Sequence, residues 1–144
     1  MKNNLVAKAT IEINAPAEKV WDALTNPALI KQYFFGTDAI SDWKEGSPLI
    51  FKGEWEGKEY VDKGTIQKSV KPNLFKYNYL SSLSNLEDIP ENYANITYEL
   101  SESNGKTTLN ILQDNVATEE ARNHSEQNWT HIMGDMKKLI EGTK

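Results

Sequence analysis

Hydrophobic and polar residues alternate at the start of this chain and then take up a different spacing. The alternation over residues 5–14 is typical of a β-strand with one buried face. In the two segments that follow, residues 16–25 and 26–35, apolar side chains recur three and four positions apart, and a proline stands at or near each start. Gly36 follows the second segment, where a helix commonly ends. The pattern therefore predicts one strand and two short helices.

Between residues 37 and 116 the spacing returns to that of strands separated by turn residues. Six strands are predicted, around residues 40–43, 49–55, 59–70, 74–80, 93–100 and 107–113. The Asn104-Gly105 pair is a strong signal for a tight hairpin between the last two. The acidic stretch 84–92 is the longest predicted loop, and it and the region around Gly36 are candidate gates to an interior site.

The chain closes with a predicted helix over residues 118–140. Thr118 is a suitable N-cap, and Glu119 and Glu120 complement the helix dipole. Together, these elements predict an α+β fold. It has a curved antiparallel sheet of about six to seven strands, two short helices, and a long C-terminal helix over the concave face. Residues 1–144 are expected to form a single domain, with a cavity between sheet and helix.

Composition narrows the functional classes. Four Trp, six Tyr and four Phe in a chain that is 38% hydrophobic indicate a folded protein. A net charge of -5 without a basic stripe argues against nucleic-acid binding, and the absence of cysteine excludes disulfides and thiolate sites. The N-terminus lacks the continuous apolar run of a signal peptide, so a cytoplasmic location is expected. No run approaches the roughly 20 apolar residues of a membrane span, so stable membrane insertion is not expected.

Four stretches carry a family resemblance: IEINAPAEKVWDALTNPALIKQYF, GTIQKSVKPNLFKYNY, YANITYELSESNGKTTLNI and NWTHIMGDMKKLIEG. They resemble the START-like (SRPBCC) superfamily, and within it the group related to the C-terminal domain of the heat-shock protein 90 ATPase activator. The resemblance covers essentially the whole chain and implies a helix-grip fold with a hydrophobic cavity. That group includes lipid and hormone carriers, aromatic cyclases and bacterial stress-related members. Membership therefore implies a pocket without naming its ligand.

The predicted C-terminal helix has a mixed face around Trp129. At about 100° per residue, the C-terminal half of this face is apolar and is predicted to pack on the sheet. Its members there are Ile132, Met133, Met136, Leu139 and Ile140. The N-terminal half carries Arg122, the only arginine, and Ser125. One interpretation makes Arg122 an anchor for a ligand carboxylate, phosphate or carbonyl group. The other pairs its head with Glu119 or Glu126 while its stem packs on the sheet.

His124 and His131 fall on the opposite face of this helix, together with Gly134. Their spacing of seven residues separates them by roughly 10 Å along the helix axis. Zinc sites need three or four convergent ligands, so these two histidines do not indicate a metal site. No metal and no cofactor is expected.

The strands predict a lining rich in tyrosine. Alternation places four sets on the helix-facing side: Leu49, Phe51, Gly53 and Trp55; Phe75, Tyr77 and Tyr79; Ala94, Ile96, Tyr98 and Leu100; Leu109, Ile111 and Gln113. The missing side chain at Gly53 is expected to leave room beside Trp55. Phenols with polar tips suit an amphiphilic or aromatic ligand, although aromatic residues at strand spacing also simply fill cores. The candidate ligand-binding residues are Tyr33, Phe51, Trp55, Tyr77, Tyr79, Tyr98, Ile111, Gln113, Arg122, Ser125, Trp129 and Met133.

Catalytic signals are sparse. The chain contains no G-x-S-x-G, P-loop or H-E-x-x-H stretch, and Asp62, Glu99 and Asp114 show no pairing that the sequence reveals. Non-enzymatic binding of a lipid or aromatic metabolite, in a stress-related context, is the preferred hypothesis. The alternatives are a co-chaperone-like module that acts on heat-shock protein 90, and a cofactor-free cyclase or hydrolase. The sequence does not determine the oligomeric state.

Overall fold

The structure, a computed structural model, describes residues 5–34, 36–55, 57–80 and 87–141. Seven strands in these residues form one antiparallel sheet in the order β1-β7-β6-β5-β4-β3-β2. The strands are β1 (Leu5–Ile13), β2 (Asp38–Ser41), β3 (Pro48–Trp55), β4 (Lys58–Val70), β5 (Leu74–Tyr79), β6 (Ala94–Ser103) and β7 (Lys106–Val116). The α-helices are α1 (Ala17–Thr25), α2 (Pro27–Tyr33) and α3 (Glu119–Ile140). Pro90–Asn92 forms a single 3-10 turn.

The long helix α3 packs on the face of the sheet that carries the core, together with α1 and α2, and this face is called the helix-covered face below. The predicted α+β helix-grip architecture is confirmed. Thr118 caps α3 as predicted, because its hydroxyl accepts the N–H of Ala121 at 3.0 Å. None of the helices in the described ranges combines the length and apolar character needed to cross a lipid bilayer.

The hairpin between β6 and β7 follows the sequence signal. Asn104 and Gly105 have φ values of 56° and 78°, the two positive values that a type I′ turn requires. The strand β6 continues to Ser103, three residues beyond its prediction, and pairs with the start of β7. The prediction stopped early because residues 101–103 are exposed, so no hydrophobic alternation marks them.

The strand β2 differs from its prediction. It was expected around residues 40–43 and lies at Asp38–Ser41. Trp43 has a φ of 62°, which no strand residue adopts, so the chain turns before the apolar run ends. Trp43 then packs its ring toward Phe75 at a centroid distance of 6.3 Å.

Side chains of α3 and of its C-cap residue, Glu141, cover the open edge of the sheet at β1. Glu126 and Glu141 accept hydrogen bonds from the backbone N–H groups of Lys8 and Asn14, at 3.0 and 2.9 Å. Lys137 donates to a backbone carbonyl of β1 at 2.8 Å. Groups that a further strand would bind are thus occupied by the helix, which fixes α3 over the sheet.

Candidate functional site

The space between the sheet and the helices is filled by aromatic and aliphatic side chains. A cavity of about 10 Å³ remains, which is roughly the volume that one water molecule requires. The residues that line it are Leu24, Ile30, Tyr33, Phe34, Trp43, Leu49, Phe51, Phe75, Tyr77 and Tyr98. The conformation described here is therefore closed, and any ligand larger than water has to displace a side chain.

Phe34 closes this interior on the solvent side. It follows α2, outside both the sheet and α3, and it is partly exposed. Its ring stacks on Phe51 at 5.7 Å between centroids and meets the edge of Trp129 at 6.3 Å. Gly36, two residues later, has a φ of +73°, a conformation that glycine adopts without strain. Phe34, at the C-terminal end of α2, thus lies as a plug between Phe51 of β3 and Trp129 of α3.

Three buried tyrosines place their hydroxyl groups inside the core. The hydroxyls of Tyr77 and Tyr98 are hydrogen-bonded to each other at 2.8 Å, and Tyr33 donates to the carbonyl of Ala23 at 2.9 Å. Burial raises the pKa of all three phenols above their ordinary value of 10.0. They therefore stay protonated at neutral pH and act as neutral hydrogen-bonding groups rather than as bases.

Trp129 carries a further polar contact at the border of this core. Its indole N–H donates to the side-chain oxygen of Gln113 on β7 at 2.9 Å. Its ring also meets the edge of Tyr98 at 6.2 Å. In the described residues, every buried side-chain nitrogen and oxygen has a hydrogen-bond partner. The interior is thus aromatic, contains several polar groups, and is internally satisfied when closed.

A second polar cluster adjoins Phe51 on the same face. Asp62 on β4 lies directly opposite Phe51 on β3 and is only 7% exposed. Tyr79 donates its hydroxyl to Asp62 Oδ2 at 2.7 Å. Tyr60, two residues before Asp62 on the same strand, is hydrogen-bonded through its hydroxyl to Thr37 Oγ1 at 2.5 Å. A carboxylate held by a phenol thus lies next to the aromatic wall that Phe34 covers.

The structure brings many of the predicted site residues together. Tyr33, Phe51, Tyr77 and Tyr98 line the small cavity. Ile111, Trp129 and Met133 are buried in the same core cluster, while Tyr79 and Gln113 are partly exposed at its border. The side chain of Trp55 lies outside the described residues.

Arg122 and Ser125 take up a more peripheral place. Arg122 forms an ion pair with Glu119, one turn earlier on α3, and its side chain is 34% exposed. Of the two interpretations of this arginine, the structure shows the pairing with Glu119. Ser125 is partly exposed on the same helix. The polar groups nearest the interior are therefore phenols, an amide and the Asp62 carboxylate rather than a guanidinium group.

The expected space beside Trp55 is absent at Gly53. Tyr60 lies opposite Gly53 in the sheet, and its hydroxyl oxygen is 2.4 Å from the position that a Cβ at Gly53 takes. The ring of Tyr60 thus occupies the room that the missing side chain leaves. The spacing of residues on β3 could not show this, because the filling side chain belongs to the neighbouring strand.

Sequence reasoning also missed two residues of the site. Phe34 belongs to the apolar pattern of residues 26–35 that predicts the second short helix, but its position as a plug depends on how the helices meet the sheet. Asp62 was noted only as an acid near a strand. The alternation that directs Ile66 inward on β4 also directs Asp62 inward, so this signal was present in the sequence.

The predicted gate at residues 84–92 is only partly described, since residues 84–86 lie outside the described ranges. Next to its described part, an open groove of about 380 Å³ lies on the outer face of the sheet. Its floor includes Ile50, and the ion pair of Lys63 with Asp88 borders it. Among the described residues, no three His, Asp or Glu side chains converge as metal ligands would.

Solved structures share this architecture. ChR145 from Cytophaga hutchinsonii has a TM-score of 0.86 and 45% identity, over 98% of this chain and 97% of that one. The dimeric Aha1 from Colwellia psychrerythraea has a TM-score of 0.77 and 18% identity, over 97% and 98% of the two chains. CalU16 from Micromonospora echinospora has a TM-score of 0.72 and 17% identity, over 97% and 86%. At such low identity, the last two show the fold alone.

No curated protein matches the chain at a significant level. The family model described as "Activator of Hsp90 ATPase homolog 1-like protein" matches residues 14–141. Because this match spans most of the sequence, the chain belongs to the family of activator of Hsp90 ATPase homolog 1-like proteins.

Proposed function

We propose that this protein binds a small hydrophobic or amphiphilic molecule, such as a lipid or an aromatic metabolite, between the sheet and α3. The observation that carries the proposal is the plug. One partly exposed phenylalanine, at the C-terminal end of α2, separates solvent from an interior walled by aromatic rings and phenol groups. Such a lining offers apolar area together with a few fixed polar groups, as small-molecule sites do.

Binding requires an open state, because the closed interior holds about 10 Å³. Displacement of the Phe34 ring from Phe51 and Trp129 opens the interior between β3 and α3. The ligand then selects this minor conformation and replaces the aromatic contacts that Phe34 gives up. The family's fold is compatible with small-molecule binding.

Native mass spectrometry of the protein as isolated, followed by a thermal-shift screen with fatty acids and aromatic metabolites, tests the proposal. We expect a one-to-one adduct, and a ligand at 100 times its Kd to stabilise the fold by about 2.7 kcal/mol. At roughly 2–4 °C per kcal/mol for a chain of this size, the melting temperature rises by about 5–11 °C. If no ligand gives an adduct or a shift, even in the Phe34→Ala variant, the proposal is wrong.

The second candidate is an interaction module that acts on a chaperone of the heat-shock protein 90 class. It is favoured by the family match and by the filled interior, since a surface function needs no cavity. Isothermal titration calorimetry with a bacterial heat-shock protein 90 distinguishes the candidates. Binding that survives in the Phe34→Ala variant supports the surface function, and absence of any heat removes it.

A further inference from the structure

We infer that Asp62 gives this site a preference for ligands in which a protonated amine adjoins an apolar or aromatic body. The inference rests on the proposed binding function and specifies, in addition, that the ligand carries a positive charge. Asp62 lies on the helix-covered face, opposite Phe51, whose ring lines the closed cavity. A molecule that replaces Phe34 against Phe51 therefore comes to lie beside the Asp62 carboxylate.

The burial of Asp62 distinguishes it from the other acids of the described chain. Apart from the buried tyrosines and Trp129, three of the described buried residues have polar or charged side chains, Thr37, Asp62 and Thr107, and Asp62 is the acid among them. Desolvating a carboxylate costs far more than desolvating an amide or a hydroxyl group.

The surroundings of Asp62 suit a cation. Tyr79 fixes one carboxylate oxygen through its hydrogen bond of 2.7 Å, and a carboxylate accepts several hydrogen bonds at once. The rings of Phe51 and Tyr79 lie 6.2 Å apart at 65° beside it. An ammonium group supplies only donors, which match the carboxylate, and it is attracted to aromatic faces.

An anionic ligand head fits the same place poorly. It would approach the buried carboxylate of Asp62 with like charge, in surroundings where screening by water is weak. In the described residues, no lysine or arginine is buried, and the guanidinium group of Arg122 is engaged with Glu119 at the periphery. The site thus favours a cationic ligand, whereas an arginine anchor would favour an anionic one.

Isothermal titration calorimetry with three ligands that share a naphthyl group tests this inference. The ligands are naphthylethylamine, naphthylethanol and naphthylacetate. We expect the wild-type protein to bind the amine about 10- to 100-fold more tightly than the alcohol, as a hydrogen bond to a charged group implies, and the acid least tightly. In Asp62→Asn, the amine and the alcohol should bind within about threefold of each other.

The matched control is Asp114→Asn. Asp114 also holds a hydrogen-bond network, accepting from the backbone and side chain of Asn95 at 2.6 and 2.8 Å, but on the outer face of β7. This variant should keep the preference for the amine. That result would distinguish binding at Asp62 from a general attraction of the amine to an acidic protein. If the wild type binds amine and alcohol equally, the inference is wrong whether or not Asp62→Asn folds. If none of the three ligands binds to the wild type or to Phe34→Ala, the proposed function itself fails.

Discussion

Replacing Phe34 by alanine removes the plug while leaving the sheet and α3 intact. The Phe34 ring packs against the rings of Phe51, Trp129 and Tyr33, at centroid distances of 5.7, 6.3 and 6.4 Å, and an alanine side chain is too short to reach them. The substitution converts the closed interior, now about 10 Å³, into a cleft open to solvent. We expect ligands to bind this variant more tightly, because they no longer have to displace the ring.

The magnitude follows from the volume and the exposure of the ring. A sealed cavity of roughly 100 Å³, about the size of a phenyl ring, costs about 2.4 kcal/mol at ~24 cal/mol per Å³. Phe34 is partly exposed, so water and neighbouring side chains occupy part of the space, and we expect a loss of about 1–2 kcal/mol in unfolding free energy. The same free energy holds the site closed in the wild type, so removing it should tighten ligand binding by about 5- to 30-fold.

Two measurements on the same variants check this link. Urea unfolding gives the loss in stability, and the fluorescence of phenylnaphthylamine, a neutral apolar dye, gives the affinity. Phe34→Leu is the control, because leucine is shorter than phenylalanine but still fills much of the plug position with an apolar side chain. It should lose less than about 1.5 kcal/mol of stability and leave the dye affinity within about threefold of wild type. If Phe34→Ala loses stability without any gain in dye affinity, Phe34 is an ordinary core residue and the opening mechanism is wrong.

Three further predictions concern the framework around the site. A double-mutant cycle of Tyr77→Phe and Tyr98→Phe should give a coupling of about 1 kcal/mol in urea unfolding, since each removes one end of the same buried hydrogen bond, and additive losses would contradict it. Gly134→Ala should stabilise the protein by up to about 1 kcal/mol, because alanine favours the helix and its Cβ meets no other atom. Gly64→Ala should destabilise the protein strongly, because a backbone carbonyl oxygen lies 1.7 Å from the new Cβ, and equal melting temperatures of the two variants would refute this contrast. The pKa of Glu141 is lowered, mainly by the hydrogen bond from the lysine four residues earlier. The contribution of Glu141 to folding stability is therefore present above its ordinary pKa of 4.5 and is lost as the pH falls through the lowered pKa. Unfolding of Glu141→Gln should accordingly depend less on pH in that acid range, and an unchanged pH profile would show that this contact is not coupled to folding.

The element order was predictable because it depends on local physics. Period-2 alternation located most of β4, and the helical spacing with a threonine cap located α3. The displaced strand β2 was not predictable, since the positive φ of Trp43, which ends the strand, leaves no mark in the hydrophobic spacing. The resemblance to the activator family, read from four stretches of sequence, is confirmed by the family match.

The site was predictable where it depends on strand faces and not where elements meet. Alternation placed Tyr77 and Tyr98 together in the interior, and the register of the sheet brings their hydroxyls into contact. For Arg122, the helix angle predicted a place on the stripe of Trp129, and the structure shows its head paired with an acid three residues away. The plug at Phe34 joins α2, β3 and α3, so only the assembled fold shows its role.

The central claim is that a ligand enters between Phe34, the sheet and α3. It is tested most directly by titrating isotope-labelled protein with naphthylethylamine and recording two-dimensional NMR spectra. The indole N–H of Trp129, now bound to Gln113, and the methyl group of the buried Met133 should shift in a saturable manner, while the exposed Val70 on β4 should not. Binding that leaves the Trp129 indole and the Met133 methyl unchanged, or that shifts only surface residues, would contradict the account.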